Sequence, residues 1–578
     1  MKRQRNKKII EQNVNNKKKL SITQFEDLSN ELIYEIFDYI DYCLIYEIFV
    51  KLNLRFHSLF YESNLSLKIN FPLTSKTIFQ YRCKYIINSN IKRIISLNIC
   101  KYFLEFFSIN LFSSLKSLTV NQIQSDKIST LLSNLICLPN FSSLSIYSSN
   151  YFQDENSIYL SIFRLTKLKF CKLTFPSGGE RVPLPIAIDS YHKLERLIIN
   201  GHCRLEQLNS ILSYLPLLQH LSCQYLYGTG RECKEIQIPK NLTSIHLTIY
   251  RILFEEMKLF LSKISSRLKV FRIKTFDNDD YFHAEQWKDL IVCHMPCLCI
   301  FDLQYTVSID KDNRQLLIDR FSSKFWIEKQ WFFDYYYYYN DEYSYYFNFF
   351  SIVPYRYDEY TLHEKFNENK SKLYKSNNIN FARHLILEGC LKTNQYSIQF
   401  PRATKLTLKD NNIQKNPLFI NHMKSIVPLL QITELSIKDN VLTINQFIEI
   451  LCLFPNVQTL TLSNKIQLGS KRTNTRRLLS RNNRITHLII DDDECQFAYI
   501  DFLIDLFPYL EYLEISLDEN HLEKILRFLF LKLKYLFSLF LLNINYDTIE
   551  KIQTLIKNEN LITNYTIERI HGGLYLWW

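Results

Sequence analysis

Glycine is scarce in this chain of 578 residues: only 9 are present. Glycine is the residue that lets backbone approach a phosphate closely or turn with positive φ. So few of them argue against a nucleotide-cradling loop, and no Walker-type loop, G-x-G-x-x-G, G-x-S-x-G or H-E-x-x-H occurs. The 14 cysteines show no paired framework, and the N-terminus has no apolar signal region. Both features would be needed for a secreted disulfide protein, so reduced thiols and a cytoplasmic or nuclear location are expected. The best metal-like group, Cys293, His294, Cys297 and Cys299, lacks the second C-x-x-C pair of a tetrahedral zinc site. No metal, cofactor or catalytic residue is expected, and the chain reads as a non-enzyme. The apolar run near Leu526 to Ile544 is interrupted by Arg527, Lys532 and Lys534, which argues against a membrane span.

Charge is unevenly placed. Residues 1–19 carry eight Lys or Arg against Glu11, so seven of the net +12 charges sit there. The nearly balanced body gives no reason to expect nucleic-acid binding. Residues 1–22 read as a basic disordered tail whose two clusters resemble a bipartite import signal.

What the chain has in abundance is apolar periodicity. Leu28, Leu32, Ile36, Phe37 and Ile40 recur at helical spacing, with Ser29 or Asn30 placed to cap the helix start. A second set follows at Leu44, Ile45, Ile48, Phe49 and Leu52, and a third at Phe56, Leu59 and Phe60. Three short helices in so few residues cannot bury their apolar faces alone and need something to pack against.

Further on, triplets spaced as L-x-x-L-x-L recur. Nine run from Ile94/Leu97/Ile99 to Leu298/Phe301/Leu303, with steps of 21 to 30 residues. Seven more run from Ala382/Leu385/Leu387 to Leu536/Leu539/Leu541, with steps of 21 to 29. Pro or Asn often precedes a triplet, as in Pro139-Asn140 and Pro455-Asn456, where a helix would end and an extended segment begin. Spacers such as Ile128, Leu131, Leu132, Leu135 and Ile136 carry helical periodicity. Each unit therefore reads as a short strand plus a helix that must stack on its neighbours to bury its core. The Asn or Cys expected after the triplet stands in only three of the sixteen units, so the repeats are degenerate.

Residues 325–350 hold sixteen aromatics, including Trp326, Trp331 and the run Tyr335 to Tyr339. The turn residues Asn340-Asp341-Glu342 can pair the two flanks as a hairpin. Such a hairpin could project as a target-binding lip or pack on the repeats, and the residues leave both open.

The segment from Leu28 to Leu59 resembles an F-box. The family pattern Leu-Pro-x-Glu-(Leu/Ile)-x-x-x-Ile-(Phe/Leu)-x-(Tyr/His)-Leu meets Leu28-Ser-Asn-Glu-Leu-Ile-Tyr-Glu-Ile-Phe-Asp-Tyr-Ile40, with Ser29 where the family has proline. Together with the repeats, this looks like the F-box/leucine-rich-repeat subgroup. The resemblance implies an α/β chain made of a three-helix F-box at 23–65 and a leucine-rich-repeat solenoid, or horseshoe. The solenoid would comprise a first array at 66–303, a Tyr-rich insert at 304–381, and a second array with a C-terminal cap at 382–578. It further implies docking of a Skp-type adaptor and its cullin complex, with Leu28, Leu32, Ile36, Phe37, Ile40 and Leu44 facing the adaptor or the module's small core. The chain would be the target-recognition subunit of a cullin–RING ubiquitin ligase; a scaffold with a degenerate F-box is the alternative. The x positions of the triplets alternate with buried leucines, so Glu195, Arg196, Gln219 and His220 are expected to face an unidentified target protein.

Overall fold

The computed structural model describes residues 25–61, 66–71, 74–150, 154–176, 184–187, 192–228, 239, 241–309, 315–340, 344–352, 356, 358–363, 381–388, 399–409, 419–438, 442–463, 466, 484–492, 497–517, 521–570 and 573–578. The basic tail lies outside them.

Three short helices come first: α1 (Asn30–Phe37), α2 (Tyr42–Phe49) and α3 (Leu54–Tyr61). Ser29 caps α1 by accepting from the Leu32 N–H, and Asp41 caps α2 through Cys43 and Leu44. The first sheet then contains β1 (Leu67–Asn70), β2 (Ile94–Cys100), β3 (Ser117–Ile123), β4 (Ser143–Ser148), β5 (Phe170–Thr174) and β6 (Arg196–Arg204). It continues with β7 (His220–Tyr227), β8 (Ser244–Tyr250), β9 (Val270–Phe276), β10 (Ile300–Ile309), β11 (Phe333–Asn340) and β12 (Ser344–Ser351). The second contains β13 (Glu359–His363), β14 (His384–Glu388), β15 (Lys405–Lys409), β16 (Glu434–Lys438) and β17 (Thr459–Leu462). Its remaining strands are β18 (His487–Ile490), β19 (Tyr512–Ser516), β20 (Ser538–Leu542), β21 (Thr566–Ile570) and β22 (Gly573–Trp577).

The strands form in register because the apolar positions of successive triplets align. Leu118, Leu144, Cys171, Leu197, Leu221, Ile245, Phe271 and Phe301 are consecutive partners across parallel strands, and all are buried. The residues between them alternate to the other face, as the period of two requires. Helices such as Ser125–Leu135, Phe254–Ile264 and Ala284–His294 pack on the buried face through Leu132, Phe260 and Trp287. Full burial of each such side chain contributes roughly 1.5–3 kcal/mol.

The expected fold, a three-helix F-box followed by one leucine-rich-repeat horseshoe, is overturned. The chain is α/β with two large, mostly parallel sheets of 12 and 10 strands. Each parallel run is stopped by an antiparallel hairpin: β12 pairs with β10 and β11, and β22 pairs with β20 and β21. The Tyr-rich stretch supplies the first of these hairpins, so β11 and β12 extend the first sheet. Trp326 and Trp331 are buried in its core. Nor do the helices form a module of their own. Ile33, Phe37, Tyr42 and Phe56 share one continuous core with the first sheet. Asp41 accepts from the Asn70 N–H, and Glu47 forms an ion pair with Arg82 at 2.7 Å. The physical reason is the one the sequence posed: three short helices lacked enough apolar area, and the first sheet supplies the rest.

The two sheets also meet at the chain's ends. Trp577 of β22 stacks on Tyr102 at 4.3 Å and donates its indole N–H to the Thr74 carbonyl at 2.7 Å. The Lys76 N–H donates to the Trp578 carbonyl, and Lys101 forms an ion pair with Glu568. The chain therefore closes on itself.

The closing hairpin requires a close approach at Gly573. A Cβ there would lie 2.6 Å from the Leu541 carbonyl oxygen and 2.8 Å from the Phe540 ring. Because the nearest atom is backbone, it cannot swing aside. Gly573→Ala is expected to cost about 1–3 kcal/mol, read from the urea midpoint; an unchanged midpoint would show that the hairpin shifts freely. No helix among the described residues is long and apolar enough to cross a membrane.

Candidate functional site

Alternation along the first sheet leaves one face carrying the x residues of the triplets. Arg196 and Gln219 are exposed and His220 is half-buried. Arg196 and His220 are register partners, while Glu195 pairs with Lys169 at 2.9 Å and its carbonyl accepts from the Gln219 and His220 N–H groups. The four nominated residues are thus brought together at the N-terminal ends of β6 and β7. None of the four lines the pocket that lies further along this face.

A concave feature lies further along the same face. A pocket of about 610 Å³ is lined by residues of β7 to β10 and β12, and by Arg356, Asp358, Glu359, Tyr360 and Thr361 at the start of the second sheet. Its volume falls in the range of ligand sites. One carboxylate organises its cationic side. Asp302, 2% exposed, receives Arg356 Nη1 at 2.8 Å and lies 3.1 Å from Arg272 Nε. Burial raises the Asp302 carboxyl above its ordinary value, and the two guanidiniums oppose that shift. Removing it would leave two cations facing each other. Asp302→Ala is expected to destabilise the fold by about 3 kcal/mol in urea unfolding, below the extreme for a fully buried pair because both arginines keep some solvent. A loss under about 1 kcal/mol would mean that water replaces the carboxylate.

On the opposite side, His384 Nδ1 lies 2.9 Å from Glu359, and its other ring nitrogen lies 2.8 Å from the Thr407 hydroxyl. The His384 ring holds the Glu359 carboxyl below its usual range, against the effect of burial. His246 is pushed down to about 4 by burial, with Arg272 and His220 adding to it, so it is neutral at physiological pH. Lys274 projects from β9 into the pocket; burial lowers its ammonium and Glu359 partly offsets this.

Aromatic rings continue the pocket wall. Phe276 stacks on Tyr250 at 4.8 Å, Tyr250 on Tyr225 and Tyr227, and both of those on His202. Ring follows ring because the strands are adjacent and in register.

No family model matches the chain, and no curated protein shows significant similarity to its sequence. The site must therefore be read from its own chemistry. Sequence reasoning missed Arg272, Lys274 and Arg356. The first two occupy positions of the same kind as Arg196 and were open to the same alternation argument. Arg356 lies in a stretch without periodicity, and nothing local marked it.

The N-terminal helices present a different surface. Of the six residues nominated there, Phe37 is buried, Leu28, Ile36 and Ile40 are half-buried, and Leu32 and Leu44 are 47% and 45% exposed. Phe37 therefore serves the core. Ile48 and Leu52, at 56% and 53%, continue the exposed apolar set at four-residue steps from Leu44. The cysteines Cys293, Cys297 and Cys299 are exposed, and among the described residues no group of three or more His, Cys, Asp or Glu is placed to hold a metal.

Proposed function

We propose that this chain is a target-recognition subunit: its N-terminal helices dock a Skp-type adaptor of a cullin–RING ligase, and its open sheet face holds a target protein. The observation that carries the reading is the exposed apolar set Leu32, Leu44, Ile48 and Leu52. Short helices anchored so firmly by Asp41 and Glu47 have no folding reason to keep four large aliphatic side chains in water. Exposed aliphatic side chains concentrated in so short a segment suit a protein-binding surface. The F-box resemblance of the same segment supplies the adaptor as the partner. Anchoring also suits a receptor, because the docking surface and the open face then share one core.

Co-purification of the full chain with a Skp-type adaptor tests this. The full chain is required because α1 to α3 borrow their core from the first sheet. A stable stoichiometric complex is expected. Failure of the folded chain to bind would leave an interaction scaffold with another partner.

A further inference from the structure

The strongest unassigned feature is the cationic side of the pocket. Arg272, Lys274 and Phe276 occupy alternate positions of β9 and so project to one face. Asp302 holds Arg272 and Arg356 in place, engaging the Nε of one and Nη1 of the other. A guanidinium has five N–H groups, so both keep donors for another acceptor. Lys274 is different. Among the described residues its ammonium makes no hydrogen bond or ion pair; it sits 5.2 Å from the centroid of the Phe276 ring. Glu359, the carboxylate that acts on it, is engaged with His384. Asp358 lies 3.7 Å from Arg383 instead.

Asp302 engages the two arginines, Glu359 engages His384 and Asp358 lies toward Arg383, so among the described residues the half-buried Lys274 ammonium, with three donors, is the pocket cation left without a direct carboxylate. Such a group destabilises the empty fold unless an anion completes it. Beside it stands an apolar shelf, the stacked rings of Phe276 and Tyr250.

We propose that this pocket binds an anionic group, a phosphate or carboxylate carried on an aromatic or apolar body, with Lys274 and Arg272 donating to the anion and Phe276 and Tyr250 receiving the body. The inference does not depend on adaptor docking, and the pocket would take such a ligand in a scaffold as well. The same chemistry occurs in a free small molecule and in the modified side chain of a protein.

Isothermal titration of the full chain with phenyl phosphate, benzoate and inorganic phosphate tests it, alongside a glycine-flanked phosphotyrosine peptide. Phenyl phosphate is expected to bind more tightly than inorganic phosphate, because only it uses the shelf. Peptide binding tighter than phenyl phosphate assigns the site to a protein side chain; equal or weaker peptide binding assigns it to a free molecule. Lys274→Met should weaken binding by at least about tenfold, since a charge-assisted hydrogen bond is lost. The same variant should melt at an equal or higher temperature, because it removes a poorly compensated charge. That pairing separates a ligand role from a structural one. Absence of binding by the native chain at about 10 mM phenyl phosphate, far above a useful affinity, would overturn the proposal. So would an unchanged affinity in Lys274→Met.

Discussion

Changing Leu32 and Leu44 together to aspartate is expected to reduce adaptor capture by at least about a hundredfold while leaving the fold intact. Each side chain is close to half exposed, so its replacement forfeits little burial in the free chain. At a docked interface both would be desolvated, and burying an unpaired carboxylate costs several kcal/mol. Two such changes exceed the roughly 2.7 kcal/mol that a hundredfold represents. The measurement is adaptor co-purification at matched concentration, with a thermal melt of each chain. An adaptor complex of native strength in the double variant would remove this surface from the interface. Phe37→Ala is the instructive contrast. Phe37 is 3% exposed and packs against Phe49 with tilted rings, so its loss should lower the melting temperature before it touches docking.

Trp577→Ala is expected to cost about 3–5 kcal/mol of stability, the range for deleting a large buried aromatic. Three losses coincide at this position. Tyr102 loses its stacked ring, Phe79 loses one of its edge contacts, and the Thr74 carbonyl loses its donor. The cavity also lies at the seam where the last hairpin meets the first sheet, so the ends should separate. Small-angle scattering is expected to show a larger radius of gyration in the variant under native conditions. Urea unfolding that shifts by less than about 1 kcal/mol, with unchanged scattering, would mean that the seam is not what closes the chain.

The triplets were legible because strand burial has a period of two and because each triplet repeats its neighbour's chemistry. Leu118, Leu144 and Leu197 sit in strands for that reason. The triplets end at β10 and β20, where the parallel runs stop, but they did not reveal the parallel strands β1 and β13 that open the two sheets, or that an antiparallel hairpin closes each. A hairpin that adds an antiparallel strand, such as β12 on β10, uses the same alternation as the strands before it. Its aromatic run suggested a hairpin and left open whether it projects or packs. The nominated pair Arg196 and His220 are register partners, but the pocket formed elsewhere, where Arg356 returns to Asp302 across 54 positions.

Sequence alone therefore determined the local grammar: helical segments in the first sixty residues, strands at the triplets, and the side of each strand that carries charge. Those follow from side-chain period and from capping and turn chemistry, which act over a few residues. Only the tertiary structure decided that the helices join the first sheet's core and that the repeats divide into two sheets. Only it decided that Trp577 meets Tyr102 and that Asp302 gathers two arginines. These depend on contacts between residues far apart in the chain, and no short-range pattern encodes which distant surface an apolar face or an unpaired charge will find.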